Sequence, residues 1–133
     1  MEDKYLEVLQ NIEFAIVETY REYPDISDYN VMNALEALID AYRGEQIGRP
    51  PRDLQLSARE SRLLDGVRTM CEWRLGREEP EFAKPLPPEG PRPEPIPVEE
   101  ILRCLRKILK SVNRWNKEGG SQGYLNFIIQ YIR

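Results

Sequence analysis

Apolar residues recur at intervals of three and four positions along most of the chain, which is the pattern of amphipathic α-helices. The clearest case is the stretch from Pro97 to Gly120, where apolar and basic side chains occupy opposite sides of one helix. The same spacing predicts further helices over about 3–22, 29–43, 57–75 and 121–133. Leu6 widens the apolar side of the first of these helices, and Ser121 is expected to cap the last. The sequence therefore predicts an all-α fold, an irregular bundle of four long helices plus a short C-terminal helix.

Capping residues mark several of the predicted helix ends. Ser27 or Asp28 can cap the second helix, and Gly44 is a natural residue to end it. Ser57 and Glu60 have the spacing of a capping box, which begins the third helix. The last segment of the chain is very apolar and also fits a β-strand, because periodicity does not distinguish the two in short apolar runs.

The segment 78–97 contains eight prolines and five glutamates, a composition that excludes helix and sheet and favours extended polyproline II structure. Trp73 lies off the apolar stripe of the third helix, so we expect something other than the main core to cover it. Phe82 and the neighbouring prolines are the nearest candidates, which predicts an extended, proline-rich strap between the third and fourth helices. Residues 85–88 also match the PxxP pattern of peptides that other domains recognise, although this pattern is short and common.

The chain has 133 residues, which fits one domain with a sizeable core. We predict a single helical domain over 1–133. It comprises a three-helix part over 1–77, the proline-rich connecting segment 78–97, and the basic amphipathic helix with the C-terminal helix over 98–133.

No apolar run approaches the roughly 20 residues that span a bilayer, and the first residues lack the features of a signal peptide. We therefore expect a cytoplasmic protein without membrane contact. Cys71 and Cys104 each lie within a helical pattern, so in a reducing compartment they are expected to be buried free thiols.

Charge is divided unevenly along the chain. Residues 1–97 carry 20 acidic and 12 basic side chains, whereas residues 98–133 carry 3 acidic and 7 basic ones, so −8 is followed by +4. The simplest use of this asymmetry is complementarity within the protein or between subunits.

The chain contains no histidine, which removes the commonest general base and transition-metal ligand. It also lacks a P-loop, a GxGxxG turn and a CxxC pair, so we expect no catalytic residues, no cofactor and no transition metal. A magnesium-dependent hydrolase that uses only carboxylates stays conceivable, although a solvated acidic surface is the simpler interpretation. Its candidate ligands are Glu13, Glu36, Asp40, Glu60, Asp65 and Glu72.

The sharpest polar feature is a set of six cations on one side of the helix 98–118. They are Arg103, Arg106, Lys107, Lys110, Arg114 and Lys117. Such a face fits a solvated or salt-bridged surface, a contact with acidic helices of the same protein, or binding of nucleic acid or a phosphate ligand. Nucleic acid is not favoured, because the whole protein is acidic and no aromatic residues are interleaved with the cations.

Four arginines surround the predicted start of the third helix, where free backbone amides favour anions: Arg49, Arg52, Arg59 and Arg62. Local neutralisation by Glu45, Asp53 and Glu60 is the simpler explanation.

The C-terminal helix carries many large apolar residues for a terminal element, which predicts shared burial in a twofold homodimer. The predicted interface consists of Tyr124, Phe127, Ile128, Tyr131 and Ile132. Alternatively, this helix fills a groove between the first two helices. The combined prediction is a non-enzymatic, homodimeric interaction or regulatory module that contacts itself or another protein.

Overall fold

The computed structural model describes residues 2–77 and 93–131 of the chain. These residues form five helices and no strand: α1 (Glu2–Glu22), α2 (Asp28–Gln46), α3 (Ala58–Leu75), α4 (Val98–Gly119) and α5 (Gly123–Tyr131). The prediction of four long helices and a short C-terminal one is confirmed. The last segment is a helix, so the alternative of a strand is wrong. The predicted Phe82 contact and most of the proline-rich strap lie outside the described residues.

Side-chain caps begin two helices: Ser27, one of the two residues predicted to cap α2, does so with Asn30, and the capping box predicted for α3 is confirmed. The Ser27 hydroxyl accepts from the Asn30 amide at 3.3 Å, and the Asn30 side chain accepts from the Ser27 amide at 3.0 Å. Ser57 and Glu60 form the same reciprocal pair at the start of α3. Each pair satisfies backbone donors that a helix start otherwise leaves without a partner.

The end predicted for α2 at Gly44 is wrong, because the helix continues to Gln46. Gly44 is buried inside the helix, and the Arg49 guanidinium lies over it. A Cβ at position 44 would stand 2.8 Å from Arg49 Nη2. The glycine thus gives room to a neighbouring side chain rather than ending the helix.

The four long helices enclose one core to which α5 also contributes. α1 packs against α3 and α4, and α2 packs against the same two helices from the other side. α5 lies against α4 and also contacts α1 and α2.

Trp73 is part of this core and is 7% exposed, so the expectation that it would face away from the core is wrong. α3 packs between α1 and α2 and therefore buries a wide arc of its surface. One apolar stripe on a helical wheel underestimates the buried side of a helix with two neighbours.

Asp28 joins the starts of α2 and α5. Its carboxylate is fully buried and accepts from the amides of Tyr124 at 2.9 Å and Leu125 at 3.3 Å. It thus caps α5, a role that the sequence had assigned to Ser121. Gln122 adds hydrogen bonds from its side chain to the Pro24 and Ile26 carbonyls.

Residues 93–97 form the end of the proline-rich segment and lie against the C-terminal end of α3. The Ile96 amide donates to the Arg74 carbonyl at 3.1 Å. Pro95 packs on Gly76, whose φ of 76° favours glycine, and a Cβ there would meet Pro95 Cγ at 2.6 Å.

Candidate interaction surface

The six cations predicted on α4 form a continuous exposed strip, called here the basic strip. Its members are Arg103, Arg106, Lys107, Lys110, Arg114 and Lys117. The opposite side of α4 is buried through Ile101, Leu105, Ile108 and Val112, which fixes the rotation of the helix. The strip therefore faces solvent because the core holds the other side of the same helix.

Two of the six cations have acidic neighbours. Arg103 Nη1 lies 3.8 Å from Glu100 Oε2, and its guanidinium is stacked 4.6 Å from the centre of the Tyr5 ring. Arg114 Nε lies 3.7 Å from Glu118 Oε1. Both ion pairs are long and solvent-exposed, so they contribute little to stability.

The other four cations form no ion pair with any residue that the structure describes. These are Arg106, Lys107, Lys110 and Lys117. Like charges at a spacing of three or four residues on a helix repel each other weakly. An anionic partner would relieve that repulsion, whereas the acidic side chains that the structure describes do not.

Apolar side chains border the basic strip on the side of α1 and α5. A shallow groove of about 180 Å³ lies between these helices and α4, and Leu6, Phe127 and Lys107 all line it. Leu6 is 53% exposed and Phe127 is 39% exposed. The sequence had placed Leu6 on the buried side of α1, which is wrong because no neighbouring described helix reaches that far around α1. Phe127 stacks on Trp115 with ring centres 4.6 Å apart.

The residues predicted for a dimer interface divide into two groups. Tyr124 and Ile128 are fully buried in the chain's own core, where they pack beside residues of α1 and α4. The Tyr124 hydroxyl donates to Glu13 Oε2 at 3.2 Å. Phe127 is exposed, while the side chains of Tyr131 and Ile132 lie outside the described residues. Of the described members, only Phe127 is therefore accessible to a second copy.

The carboxylates considered as magnesium ligands do not converge. Glu60 accepts from the side-chain amides of Asn30 at 2.8 Å and Asn33 at 3.1 Å. Glu72 accepts from the Tyr42 hydroxyl at 2.7 Å. Across residues 2–77 and 93–131, no group of three His, Cys, Asp or Glu side chains could hold a metal ion. The described surface thus offers no preformed carboxylate site.

The arginines near the start of α3 are neutralised, but by acids other than those expected. Arg49 and Arg52 both approach Asp40 Oδ1, at 2.8 and 3.6 Å. Arg59 pairs with Asp25, and Arg62 pairs with Glu22 at 2.9 Å. An open cleft of about 540 Å³ is lined by three arginines, Arg49, Arg52 and Arg68, and by three carboxylates, Asp40, Glu45 and Asp53. Its charges are balanced, so it does not select an anion.

Both cysteines are buried free thiols. Burial raises the pKa of Cys71 far above its ordinary value. Burial and the nearby Glu100 charge raise the pKa of Cys104 to about 11. Neither thiol is therefore a nucleophile at neutral pH.

No known family model, curated protein or solved structure matches this chain. None of the described helices has the length and apolar character needed to cross a bilayer. The candidate surface is therefore argued from its own chemistry.

Proposed function

We propose that this protein is a non-enzymatic, cytoplasmic interaction module that binds an acidic amphipathic helix of a partner protein. The observation that carries the proposal is a strip with four cations that pair with no described residue, one of which, Lys107, lines a groove together with the exposed side chains of Leu6 and Phe127. A partner helix with acidic and apolar sides complements both features at once.

The dimensions of the surface support a helical partner. The basic strip extends from Arg103 to Lys117, which corresponds to roughly 21 Å along α4. A partner helix of about four turns covers that length, with glutamates toward the strip and leucines toward the groove. Exposed aromatic residues are favoured in the centre of protein interfaces, which suits Phe127.

The test uses a synthetic peptide of roughly four helical turns with leucines on one side and glutamates on the other. We expect charge reversal by Lys107→Glu with Lys110→Glu to weaken its binding about tenfold or more, measured by isothermal titration calorimetry. The matched control is Arg43→Glu with Arg68→Glu, which changes the net charge equally at two exposed positions away from the strip. The control should change the affinity by less than about twofold.

The apolar part of the surface is tested separately. Phe127→Ser should weaken binding of the amphipathic peptide but leave the weaker binding of poly-glutamate unchanged. Equal affinities of the two probes for the native protein would contradict the proposed role of the groove. Equal affinities of the charge-reversed protein and its control for the peptide would exclude the basic strip as the binding site.

Nucleic acid is the second candidate partner, and it is favoured by the four cations that pair with no residue in 2–77 or 93–131. Phosphates spaced along a strand can pair with such a strip, and each neutralised phosphate adds to the salt dependence of binding. The net charge of −4 and the lack of aromatic residues within the strip oppose it. Tighter binding of a single-stranded oligonucleotide than of the peptide at physiological salt would place this candidate first.

Self-association through α5 stays a prediction. It now depends on Phe127 and the neighbouring Leu6, because Tyr124 and Ile128 are occupied within the chain's own core. The carboxylate magnesium hydrolase stays a remote alternative, and a divalent ion that raises the melting temperature would revive it.

A further inference from the structure

The open cleft of about 540 Å³ lies between α2, α3 and the loop that joins them. Its volume is in the range of pockets that hold small organic ligands. All three segments contribute apolar side chains to its lining, namely Leu38, Pro51, Leu54, Leu56 and Leu64. The cleft therefore offers an apolar surface to a small molecule.

Arg49 holds the loop side of this cleft against α2. Its backbone amide donates to the Gly44 carbonyl at 2.8 Å. Its Nη2 group donates to the Asp40 carbonyl and to Asp40 Oδ1, both at 2.8 Å. These contacts lie within the chain, so they preorganise the cleft and reduce the conformational entropy lost on binding.

Four of the six charged side chains that line the cleft already have ionic partners. Asp40 Oδ1 lies 2.8 Å from Arg49 Nη2 and 3.6 Å from Arg52 Nη1. Glu45 Oε1 lies 2.6 Å from Nη2 of Arg77, which is outside the lining. These four charges are satisfied within the protein.

The other two charged residues of the lining are Arg68 on α3 and Asp53 in the loop. Within 2–77 and 93–131, neither of them forms an ion pair. Both residues are exposed, so a ligand reaches them without a change of fold. A guanidinium donates two parallel hydrogen bonds to a carboxylate, and a carboxylate accepts from an ammonium group. The pair thus complements a molecule that carries both of these groups.

We propose that the cleft binds a free α-amino acid with an apolar side chain. The carboxylate of the ligand pairs with Arg68, its ammonium group pairs with Asp53, and its side chain lies on Leu38 and Leu64. A zwitterion fits because three positive and three negative side chains line the cleft, which favours neither a net anion nor a net cation. None of the six basic-strip residues lines this cleft, so failure of one proposal leaves the other intact.

The probe is L-leucine. The matched compounds are N-acetyl-L-leucine, which lacks the ammonium group, and L-leucinamide, which lacks the carboxylate. Titration at neutral pH and constant ionic strength, followed by amide chemical shifts, should give saturable changes at Ala41, Asp53 and Leu64 with leucine. Each analogue should bind about tenfold or more weakly, because it loses one charge-assisted contact.

Two variants remove the proposed contacts from the protein. Arg68→Gln and Asp53→Asn should each weaken leucine binding about tenfold or more. The matched controls are Arg43→Gln on α2 and Asp65→Asn on α3, which remove charges outside the lining and should leave the affinity unchanged. All four residues are exposed, so the fold should tolerate each change.

The analogues assign each contact to its residue. Leucine and leucinamide should bind Arg68→Gln with equal affinity, because the carboxylate of leucine has lost its partner. Leucine and N-acetyl-leucine should bind Asp53→Asn with equal affinity, because the ammonium group has lost its partner.

Three outcomes would overturn the proposal. One is the absence of saturable leucine binding to the native protein, and another is equal affinity of the native protein for leucine and both analogues. The third is equal affinity of the native protein and both cleft variants for leucine. Binding of the acidic helical peptide to the basic strip should be the same with and without leucine.

Discussion

The Asp28 carboxylate satisfies the first backbone donors of α5 from a position at the start of α2. It is fully buried and accepts from the amides of Tyr124 and Leu125. A short helix has few internal hydrogen bonds, so a cap from outside contributes a large share of its stability.

Asp28→Ala should therefore lower the free energy of unfolding by about 2–3 kcal/mol, because it leaves buried amides without an acceptor. Urea denaturation followed by circular dichroism measures this loss. Asp28→Asn keeps an acceptor oxygen and should lose less. A loss below about 0.5 kcal/mol for the alanine variant would show that α5 does not depend on this cap.

The lowered pKa of Glu60 predicts how the stability of the protein changes with pH. Burial raises the pKa of its carboxyl, but hydrogen bonds from Asn30, Asn33 and Ser57 outweigh that effect and lower it below 4.5. A carboxylate with a lower pKa in the folded state stabilises the protein above its unfolded-state pKa and loses this contribution as pH falls.

The native protein should consequently lose stability relative to Glu60→Gln as the pH falls from 6 toward 3. Denaturation of both proteins across this range isolates the contribution of Glu60 from that of the other carboxylates. A difference between the two proteins that does not change with pH would mean that the pKa of Glu60 is not lowered by folding.

Single residues were the hardest features to predict from the sequence. Helical periodicity gave the angle of Leu6 and Trp73 on their own helices, but not how far the neighbouring helices extend around them. Leu6 was therefore expected to be buried and is exposed, whereas Trp73 was expected to lie apart from the core and belongs to it. Arg74 is fully buried, and no local pattern distinguishes it from an ordinary surface arginine.

At the scale of elements, the junction between α4 and α5 contains two glycines with opposite roles. A Cβ on Gly123 would stand 2.5 Å from the Trp115 carbonyl oxygen, which is backbone and cannot move aside. A Cβ on Gly119 would be 3.5 Å from a Trp115 ring carbon, an ordinary contact. The close approach of α5 to α4 thus requires glycine at position 123.

Gly123→Ala should lower the free energy of unfolding by about 1–3 kcal/mol, since α5 must move away from α4. Gly119→Ala is the matched control in the last turn of α4. It should raise stability by about 0.5 kcal/mol, because alanine restricts the unfolded chain. Thermal denaturation of the two variants measures these changes. Similar shifts of the melting temperature in Gly123→Ala and Gly119→Ala would contradict the close approach of α5 to α4.

Helix starts were predictable where both members of a capping box lie within one segment, as with Ser57 and Glu60. The end of α2 was not, because the fit of Arg49 over Gly44 depends on the path of a later loop. The cap of α5 was also missed, since Asp28 and Tyr124 are distant in the sequence. Local signals therefore identified the helices, and long-range contacts determined several of their ends.

At the scale of the whole molecule, the apolar surface that the described residues expose around α5 is small for a stable dimer. Leu6 and Phe127 are its main exposed members on the candidate surface, whereas stable interfaces bury about 800 Å² on each partner. The homodimer predicted from the sequence therefore depends on a small described surface, and the native mass in solution tests it.

A native mass near 15.6 kDa for the purified chain at micromolar concentration, measured by size-exclusion chromatography with light scattering, would contradict the predicted homodimer. A stable mass twice as large, reduced to the monomer by Phe127→Ser, would instead support the homodimer. Nucleic acid in the same peak, detected by its absorbance, would favour the second candidate function.

The junction of α2 and α5 has a consequence for synthesis on the ribosome. Asp28 leaves the exit tunnel long before the amides of Tyr124 and Leu125, which are separated from it by more than ninety residues. In a nascent chain that ends at Gln122, the Asp28 carboxylate lacks the amides of Tyr124 and Leu125 that donate to it in the complete fold. The core of this nascent chain also lacks the side chains of Tyr124 and Ile128. α5 is translated after the other four described helices and completes the core, so a ribosome stalled just before it would hold an incompletely folded protein.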